Sequence, residues 1–401
     1  SKYTIINYSF FGVAKDGSLH SADFRNKAMT ATNQSAEQEP AAILNEDIYS
    51  SWDMWLLYGD VQFNWNTSPA KVEKVIGGAP GLFDLCKQNN VKLMASIGGW
   101  SMSKHFSDMA NSATKKALFL RDVKKLMDMG FDGIDIDWEY PGAAGMNFTG
   151  KEYDYANYVI LMKDIRATIG GDKLLTGAFS ASPANLNNFN WVQLSAYMDY
   201  FNIMSYDLEG GWSDTAGHNS ALYGNSSALC WDNTFKFLTQ TKGVKADKIN
   251  MGVASYGRGV ETLSGAALGG KTKKSVKSFS VDGSLDSAAD FANWGLFEGV
   301  PNYAYIINNQ TGWFYHWDEA GKVPYMTKDN YFLSFDNPQS VGLKADYVNN
   351  NNAGGVIIWQ VFGDMQFTGG VSYVNPSIKK LPKADKVTTP LLDVLHDKLN
   401  K

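Results

Sequence analysis

The stretch FDGIDIDWEYPG, residues 131–142, is the most informative segment of the chain. Acidic side chains at Asp135, Asp137 and Glu139 alternate with apolar ones, so an extended strand would place the carboxyls on one face. At about 3.3 Å rise per residue, neighbouring carboxyls would lie roughly 6.6 Å apart, and like charges at that spacing in a buried strand resist simultaneous ionisation. We therefore expect at least one of these acids to keep a proton near neutral pH.

Glu139 is the candidate general acid. A carboxylic acid at the carboxyl end of a barrel strand, with negative neighbours that help it retain its proton, can protonate a leaving glycosidic oxygen. The alternatives are a solvated acidic strand or a calcium site. The interleaved isoleucines favour burial, and the offsets do not fit an EF-hand loop.

Outward from this segment, short apolar runs alternate with helical or turn-rich segments, as βα units around a parallel sheet do. The predicted strands are residues 3–11, 92–98, 133–139, 174–182, 198–206, 249–256 and 354–361. Apolar spacing from Leu118 to Met127 predicts an amphipathic helix.

The alternation of apolar runs with helical or turn-rich segments is interrupted between residues 259 and 335. Tyr303, Tyr305, Trp313, Tyr315 and Trp317 there follow alternating, strand-like patterns. We expect an inserted α+β lobe at 259–335 and a barrel built from residues 1–258 and 336–401.

The composition fits a globular protein. The 401 residues are 44% hydrophobic and 19% charged, enough for a barrel-sized unit plus a smaller one. A net charge of −5 without a basic run disfavours a nucleic-acid partner, and no apolar run reaches the roughly 18 residues of a membrane span. Two cysteines and five scattered histidines predict neither a disulfide framework nor a metal site, and we expect no cofactor.

The run Asp132-x-x-Asp135-x-Asp137-x-Glu139 resembles the signature of glycoside hydrolase family 18, the chitinases and their relatives. Further segments agree in order: SIGGW at 96–100, MSYD at 204–207, YGR at 256–258 and Trp359 on the last strand. The resemblance extends from about residue 3 to about residue 375. It implies a (β/α)8 TIM barrel with an inserted α+β domain.

The resemblance also implies a mechanism, because in this family the substrate's own 2-acetamido oxygen attacks the anomeric carbon. Glu139 would protonate the leaving oxygen and later activate water. Asp137 would stabilise the acetamido group as the oxazolinium ion forms, and Asp135 would share a proton with Asp137. Tyr206 would donate a hydrogen bond to the acetamido carbonyl, and Asp207 would bind the substrate near the scissile link.

Sugar rings present apolar CH faces, so aromatic side chains are expected along the cleft. The resemblance implies that Trp359 forms the floor and that Trp100 and Trp212 lie on the leaving-group side. The other expected substrate contacts are Tyr8, Phe10, Met204, Tyr256, Arg258 and Glu298.

The match to the family pattern fails at the start of the barrel. Family barrels begin with a strand and helix before the one that resembles residues 3–11, so the first βα unit is expected to be missing from this chain. An open barrel would expose unpaired edges. We therefore expect either that this polypeptide is a trimmed or cleaved product of a longer one, or that an associated segment or a larger assembly supplies the missing strand.

The predicted function is a retaining chitinase acting on β-1,4-linked N-acetylglucosamine chains, chitin or chito-oligosaccharides. The alternatives are an endo-β-N-acetylglucosaminidase on N-glycan cores and a chitinase-like lectin that binds without cutting. A NAD-dependent Rossmann enzyme would need Gly-x-Gly-x-x-Gly after the first strand, which is absent. An extracellular polymer as substrate predicts a secreted protein.

Overall fold

The computed structural model describes residues 1–21, 39–40, 52–67, 71–146, 148–274, 300–370, 372–373 and 382–400. Its contacts divide the chain into two compact units. The first unit comprises Ser1–Ala178 with Val192–Asp199, and the second comprises Phe179–Trp191 with Tyr200–Lys401.

The strands are β1 (Ile5–Val13), β2 (Leu19–Ser21), β3 (Val61–Asn64), β4 (Lys71–Lys74), β5 (Lys92–Gly98), β6 (Gly133–Asp137), β7 (Ala144–Gly145), β8 (Phe148–Thr149), β9 (Leu174–Ser180), β10 (Tyr200–Met204), β11 (Ile249–Ala254), β12 (Arg258–Glu261), β13 (Phe314–Asp318), β14 (Val323–Lys328), β15 (Tyr331–Ser334), β16 (Gly355–Trp359), β17 (Gln366–Thr368), β18 (Ser372–Tyr373), β19 (Pro382–Lys383) and β20 (Lys386–Thr388).

The helices are α1 (Trp52–Tyr58), α2 (Leu82–Gln88), α3 (Phe106–Ala110), α4 (Ala113–Met129), α5 (Asp154–Ile169), α6 (Pro183–Leu186), α7 (Trp191–Tyr197), α8 (Trp231–Lys236), α9 (Tyr303–Asn308), α10 (Pro338–Asn350) and α11 (Pro390–Leu399), with short 3₁₀ or π turns at Trp100–Met102, Phe237–Thr241 and Ala246–Lys248.

The first unit is organised around parallel strands. β5 pairs with β1 on one side and with β6 on the other, and β6 pairs in turn with β9. Every residue of β6 is buried, and so is every residue of β5 except Lys92. Burial on both faces is typical of parallel strands, and it encloses the acidic residues of β6 within the structure.

Helix α4 confirms the amphipathic helix expected from Leu118 to Met127. It begins after Ser112, whose side chain accepts a hydrogen bond from the N–H of Lys115, and it ends at Gly130 in the left-handed conformation. Its buried side includes Phe119 and Leu126, which supply the apolar contacts that hold the helix to the fold.

The second unit contains β10, β11 and β16 as adjacent parallel strands. It also contains a four-stranded antiparallel sheet in the order β12, β15, β14, β13. The proposed division into barrel residues 1–258 and 336–401 and a lobe at 259–335 stays a prediction, and so does the supply of a missing first βα unit by another segment.

The seven predicted strands are all present; β5 has the predicted bounds, and the other six differ by one or two residues at one or both ends. β6 stops at Asp137, so Glu139 lies just beyond the strand, whereas the prediction had placed it within the strand. The strand-like reading of Tyr303 and Tyr305 was wrong, because both lie in α9. Tyr303 and Ile306, three positions apart, form the buried side of that helix.

Candidate active site

The predicted site residues fall into two groups, one within each unit. In the first unit, Asp135 is only 2% exposed. Its two carboxyl oxygens accept hydrogen bonds from the Ser96 hydroxyl at 2.7 Å and from the Thr176 hydroxyl at 2.6 Å. These residues occupy the positions opposite Asp135 on β5 and β9, so strand register alone brings the three together.

The end of β6 is fixed through its main chain. The carbonyl of Asp137 accepts hydrogen bonds from the N–H of Gly99 at 2.8 Å and from the Ser103 hydroxyl at 3.2 Å. The same Ser103 hydroxyl accepts from the N–H of Glu139 at 2.9 Å. Gly98 has a φ of 113°, and a Cβ there would collide with the Asp137 carbonyl, which explains why glycine occupies this position.

Trp138, which follows Asp137 in the chain, is buried. Its ring stacks on Phe106 with centroids 5.2 Å apart and an interplanar angle of 10°. Tyr158, whose ring lies 6.1 Å from that of Trp138, is also buried. Burial raises the pKa of Tyr158 well above its ordinary value, and the charges of Asp135 and Asp137 raise it further, so this phenol stays protonated beside them.

Glu139 and Tyr140 are half-buried, whereas Asp135 and Asp137 are buried. The ring of Trp100, which is 39% exposed, lies 6.5 Å from that of Tyr140. The residue proposed as the acid is therefore the least buried of the three, and the exposed ring of Trp100 lies near the ring of the residue that follows it.

The early-strand aromatics differ in their surroundings. Tyr8 is buried and packs against Phe11 and Phe131, with ring centroids 5.9 and 6.4 Å away, so its ring belongs to the core. Phe10 is half-buried with its ring against Gly99. A contact between either ring and substrate stays a prediction.

In the second unit, Asp207 is the centre of a polar cluster. One of its carboxyl oxygens accepts from the Tyr256 hydroxyl and from Arg258 Nε, each at 2.8 Å. The guanidinium of Arg258 also lies over the ring of Trp212, 5.0 Å from its centroid. Burial raises the pKa of Tyr256 well above its ordinary value and the charge of Asp207 raises it further, so Tyr256 remains a donor.

An aromatic cluster adjoins these polar groups. Tyr206 meets Tyr256 edge-on with centroids 6.2 Å apart, and Met204 and Trp359 pack against the same cluster. Trp212 is half exposed. The fold thus gathers the second-unit residues expected to bind substrate, while Glu298 lies outside the described residues.

Sequence reasoning missed the residues that hold the others in place. Thr176 and Ser103 bind the carboxylate strand, and Asn219 binds the main chain of Asp207. Each is a single polar residue without periodic or motif context, so only strand register and loop geometry reveal it. Among the described residues, no group of three or more His, Cys, Asp or Glu is arranged to hold a metal ion, and no helix is long and apolar enough to cross a membrane.

The chain matches the family model "Glycosyl hydrolases family 18" over residues 1–364. It belongs to that family. Chitinase A1 of Niallia circulans is 30% identical over 391 residues, which cover 92% of this chain and 54% of that protein. A probable endochitinase of Orgyia pseudotsugata multicapsid polyhedrosis virus is 33% identical over 294 residues, covering 69% of this chain and 51% of that protein. The chain thus spans about half the length of these two relatives.

The Group IV chitinase of Ostrinia furnacalis has a similar structure. The TM-score is 0.73 at 23% sequence identity, and the match covers 99% of this chain and 92% of that one. This likeness establishes the fold, the TIM barrel of family 18 enzymes. The predicted fold class and the predicted assignment to the O-glycosyl hydrolases of family 18 are confirmed.

Proposed function

We propose that this protein is a chitinase that cleaves β-1,4 linkages between N-acetylglucosamine units of chitin and chito-oligosaccharides, with retention of configuration. The observation that carries the proposal is the pair of buried aspartates on β6 followed by the solvent-accessible Glu139, within a family 18 chain. The names of its relatives, chitinase and endochitinase, support the same substrate class.

The acids divide the reaction between them. Glu139 gives its proton to the glycosidic oxygen as the bond to the anomeric carbon breaks, while the substrate's acetamido oxygen bonds to that carbon. Asp137 stabilises the resulting oxazolinium ion, and Asp135, held by two hydroxyls, tunes the protonation of Asp137. Water then attacks the anomeric carbon, whose bond to the acetamido oxygen breaks, as Glu139 takes a proton from the water; this restores the acid and releases the sugar.

The second-unit cluster supplies binding and orientation. Tyr206 donates to the acetamido carbonyl, and Asp207, held by Tyr256 and Arg258, binds the sugar beside the scissile bond. Trp359 and Trp212 offer rings to the apolar sugar faces. Since the polymer lies outside cells, we also propose that the protein is secreted.

The test is mass-resolved analysis of the products formed from chitin hexasaccharide by the parent, by Glu139→Gln and by Glu152→Gln. Glu152 is an exposed glutamate of the same unit and serves as the matched control. We expect hydrolysis by the parent and the control only, with hexasaccharide binding to Glu139→Gln retained in calorimetry. Equal rates for all three would remove Glu139 from the acid role, and binding without cleavage by the parent would indicate a lectin.

An N-glycopeptide incubated in parallel tests the endo-β-N-acetylglucosaminidase alternative. If the protein cleaves the glycan core and leaves the hexasaccharide intact, its substrate is the N-glycan and not chitin. Because both reactions use the same acids, the Glu139→Gln variant stays inactive in either case.

A further inference from the structure

The main chain of Asp207 is held by Asn219, which is only 1% exposed and has no part in the reaction steps proposed for the acids. Its side-chain oxygen accepts from the N–H of Asp207 at 2.8 Å, and its side-chain nitrogen donates to the carbonyl of Tyr256 at 3.2 Å. Its own carbonyl accepts from the N–H of Leu208 at 3.0 Å, and its N–H donates to the Ser334 hydroxyl at 2.9 Å. One asparagine thus joins the chain at Asp207 to the chain at Tyr256.

Asp207 needs such a partner because its backbone is in the left-handed region, with φ at 56°. That conformation is disfavoured for residues with a Cβ, although aspartate tolerates it better than most. In this conformation the carboxylate reaches both the Tyr256 hydroxyl and Arg258 Nε. If the N–H of Asp207 lost its acceptor, the backbone would be free to leave the left-handed region and turn the carboxylate away from both donors.

We propose that Asn219 is a positioning residue that fixes Asp207 against Tyr256 and affects hydrolysis only through the Asp207 carboxylate. The inference rests on the proposed function, in which that carboxylate binds the sugar beside the scissile bond. An amide suits this role because it offers an acceptor for one main chain and a donor for the other. Aspartate would offer only acceptors, and alanine would offer neither group.

The residues on either side of Asn219 anchor the segment independently. His218 Nε2 lies 2.8 Å from a carboxyl oxygen of Asp318. Ser220 accepts from Lys344 Nζ at both its carbonyl and its hydroxyl, and its hydroxyl donates to the Ser205 carbonyl at 2.6 Å. Removing the Asn219 side chain should therefore leave the loop in place and release mainly Asp207.

The test is a double-mutant cycle on the full chain with Asn219→Ala, Asp207→Asn and the double variant, using kcat/KM for chitin hexasaccharide and thermal unfolding. Alone, Asn219→Ala should lower kcat/KM by about 10²-fold, the effect of a misplacement of about 1 Å. In the Asp207→Asn background it should cause little further loss, because the two residues act as one unit. Asparagine at 207 preserves the left-handed backbone preference, so that background changes chiefly the charge.

Asn233→Ala is the matched control. The Asn233 side chain also donates to two main-chain carbonyls, those of Asn225 at 2.7 Å and Ala228 at 2.9 Å, away from Asp207 in the chain. We expect Asn233→Ala to lower the unfolding temperature while kcat/KM stays at the parent value. If Asn219→Ala does not fold, Asn219→Leu, which is closer to asparagine in size and also offers neither group, replaces it in the same cycle with the same expectations.

Two failures are distinguishable. If the parent hydrolyses the hexasaccharide and Asn219→Ala lowers kcat/KM equally in both backgrounds, Asn219 acts through general stability and the inference is overturned while the proposed function stands. If the parent hydrolyses nothing, the proposed function is wrong, and the inference that rests on it is wrong as well.

Discussion

Ser103→Ala should lower kcat/KM, because Ser103 holds the main chain that carries Glu139. The loss of stability alone should not account for that decrease. The buried Ser103 hydroxyl accepts from the N–H of Glu139 at 2.9 Å and donates towards the carbonyls of Gly99 at 2.8 Å and Asp137 at 3.2 Å. Alanine has the same backbone preferences at this site but makes none of these contacts. The main chain that carries Glu139 would then lose its side-chain anchor.

The size of the effect follows from the contacts that remain. The Asp137 carbonyl keeps the N–H of Gly99 at 2.8 Å, so the principal loss is the partner of the Glu139 N–H. Such a part-buried donor without a partner costs about 1–3 kcal/mol of unfolding free energy. A shift of the Glu139 carboxyl by about 1 Å would lower kcat/KM by up to about 10²-fold.

The assay compares kcat/KM for chitin hexasaccharide and urea unfolding in the parent, Ser103→Ala and Ser112→Ala. Ser112 caps helix α4 by accepting from the N–H of Lys115 at 3.4 Å. Loss of this cap lowers the free energy of unfolding by about 1 kcal/mol and removes no contact of Glu139. We expect both variants to be destabilised and only Ser103→Ala to lose activity. A Ser103→Ala protein with kcat/KM equal to that of Ser112→Ala would refute the positioning argument.

Two further predictions concern buried charges of the second unit. Lys344→Met should lower the free energy of unfolding by about 3–5 kcal/mol in urea titrations, because it leaves the buried Asp336 carboxylate without its cation 2.7 Å away; parent-like stability would contradict this. Burial lowers the pKa of His218 despite the opposing effects of Asp318 and Asp336, so the unfolded chain binds the proton more readily. The free energy of unfolding should therefore fall as pH drops below about 6.5, and His218→Gln should flatten that slope; an equal slope in both proteins would exclude His218 as its source.

The sequence located the strands because apolar side chains recur in each, but it located most of their ends only to within one or two residues. β6 stops at Asp137 because its last partner on β5 is Gly98, after which the neighbouring chain turns away through Trp100–Met102. The length of a strand depends on its neighbour as well as on its own residues. Tyr303 and Tyr305 show a related limit, since two aromatic residues at alternate positions fit a strand but are too few to exclude a helix.

The acids and the residues that position them differ in how they can be found. Asp135, Asp137 and Glu139 are visible in one segment because carboxyls interleaved with apolar residues are costly to bury and therefore conspicuous. The contact between Asp207 and Arg258 joins residues 51 positions apart, and the resemblance to a known family suggested both without giving their contact.

Ser103, Thr176 and Asn219 carry no such signal, because a lone hydroxyl or amide occurs on every protein surface. What distinguishes them is the partner that the fold supplies: a main-chain N–H at the strand end, a carboxyl in register, and a left-handed backbone. A reactive group can be recognised from its own chemistry, whereas a positioning group is defined by geometry. The Ser103 and Asn219 variants therefore test contacts that exist only in the folded chain and could not be predicted from the sequence.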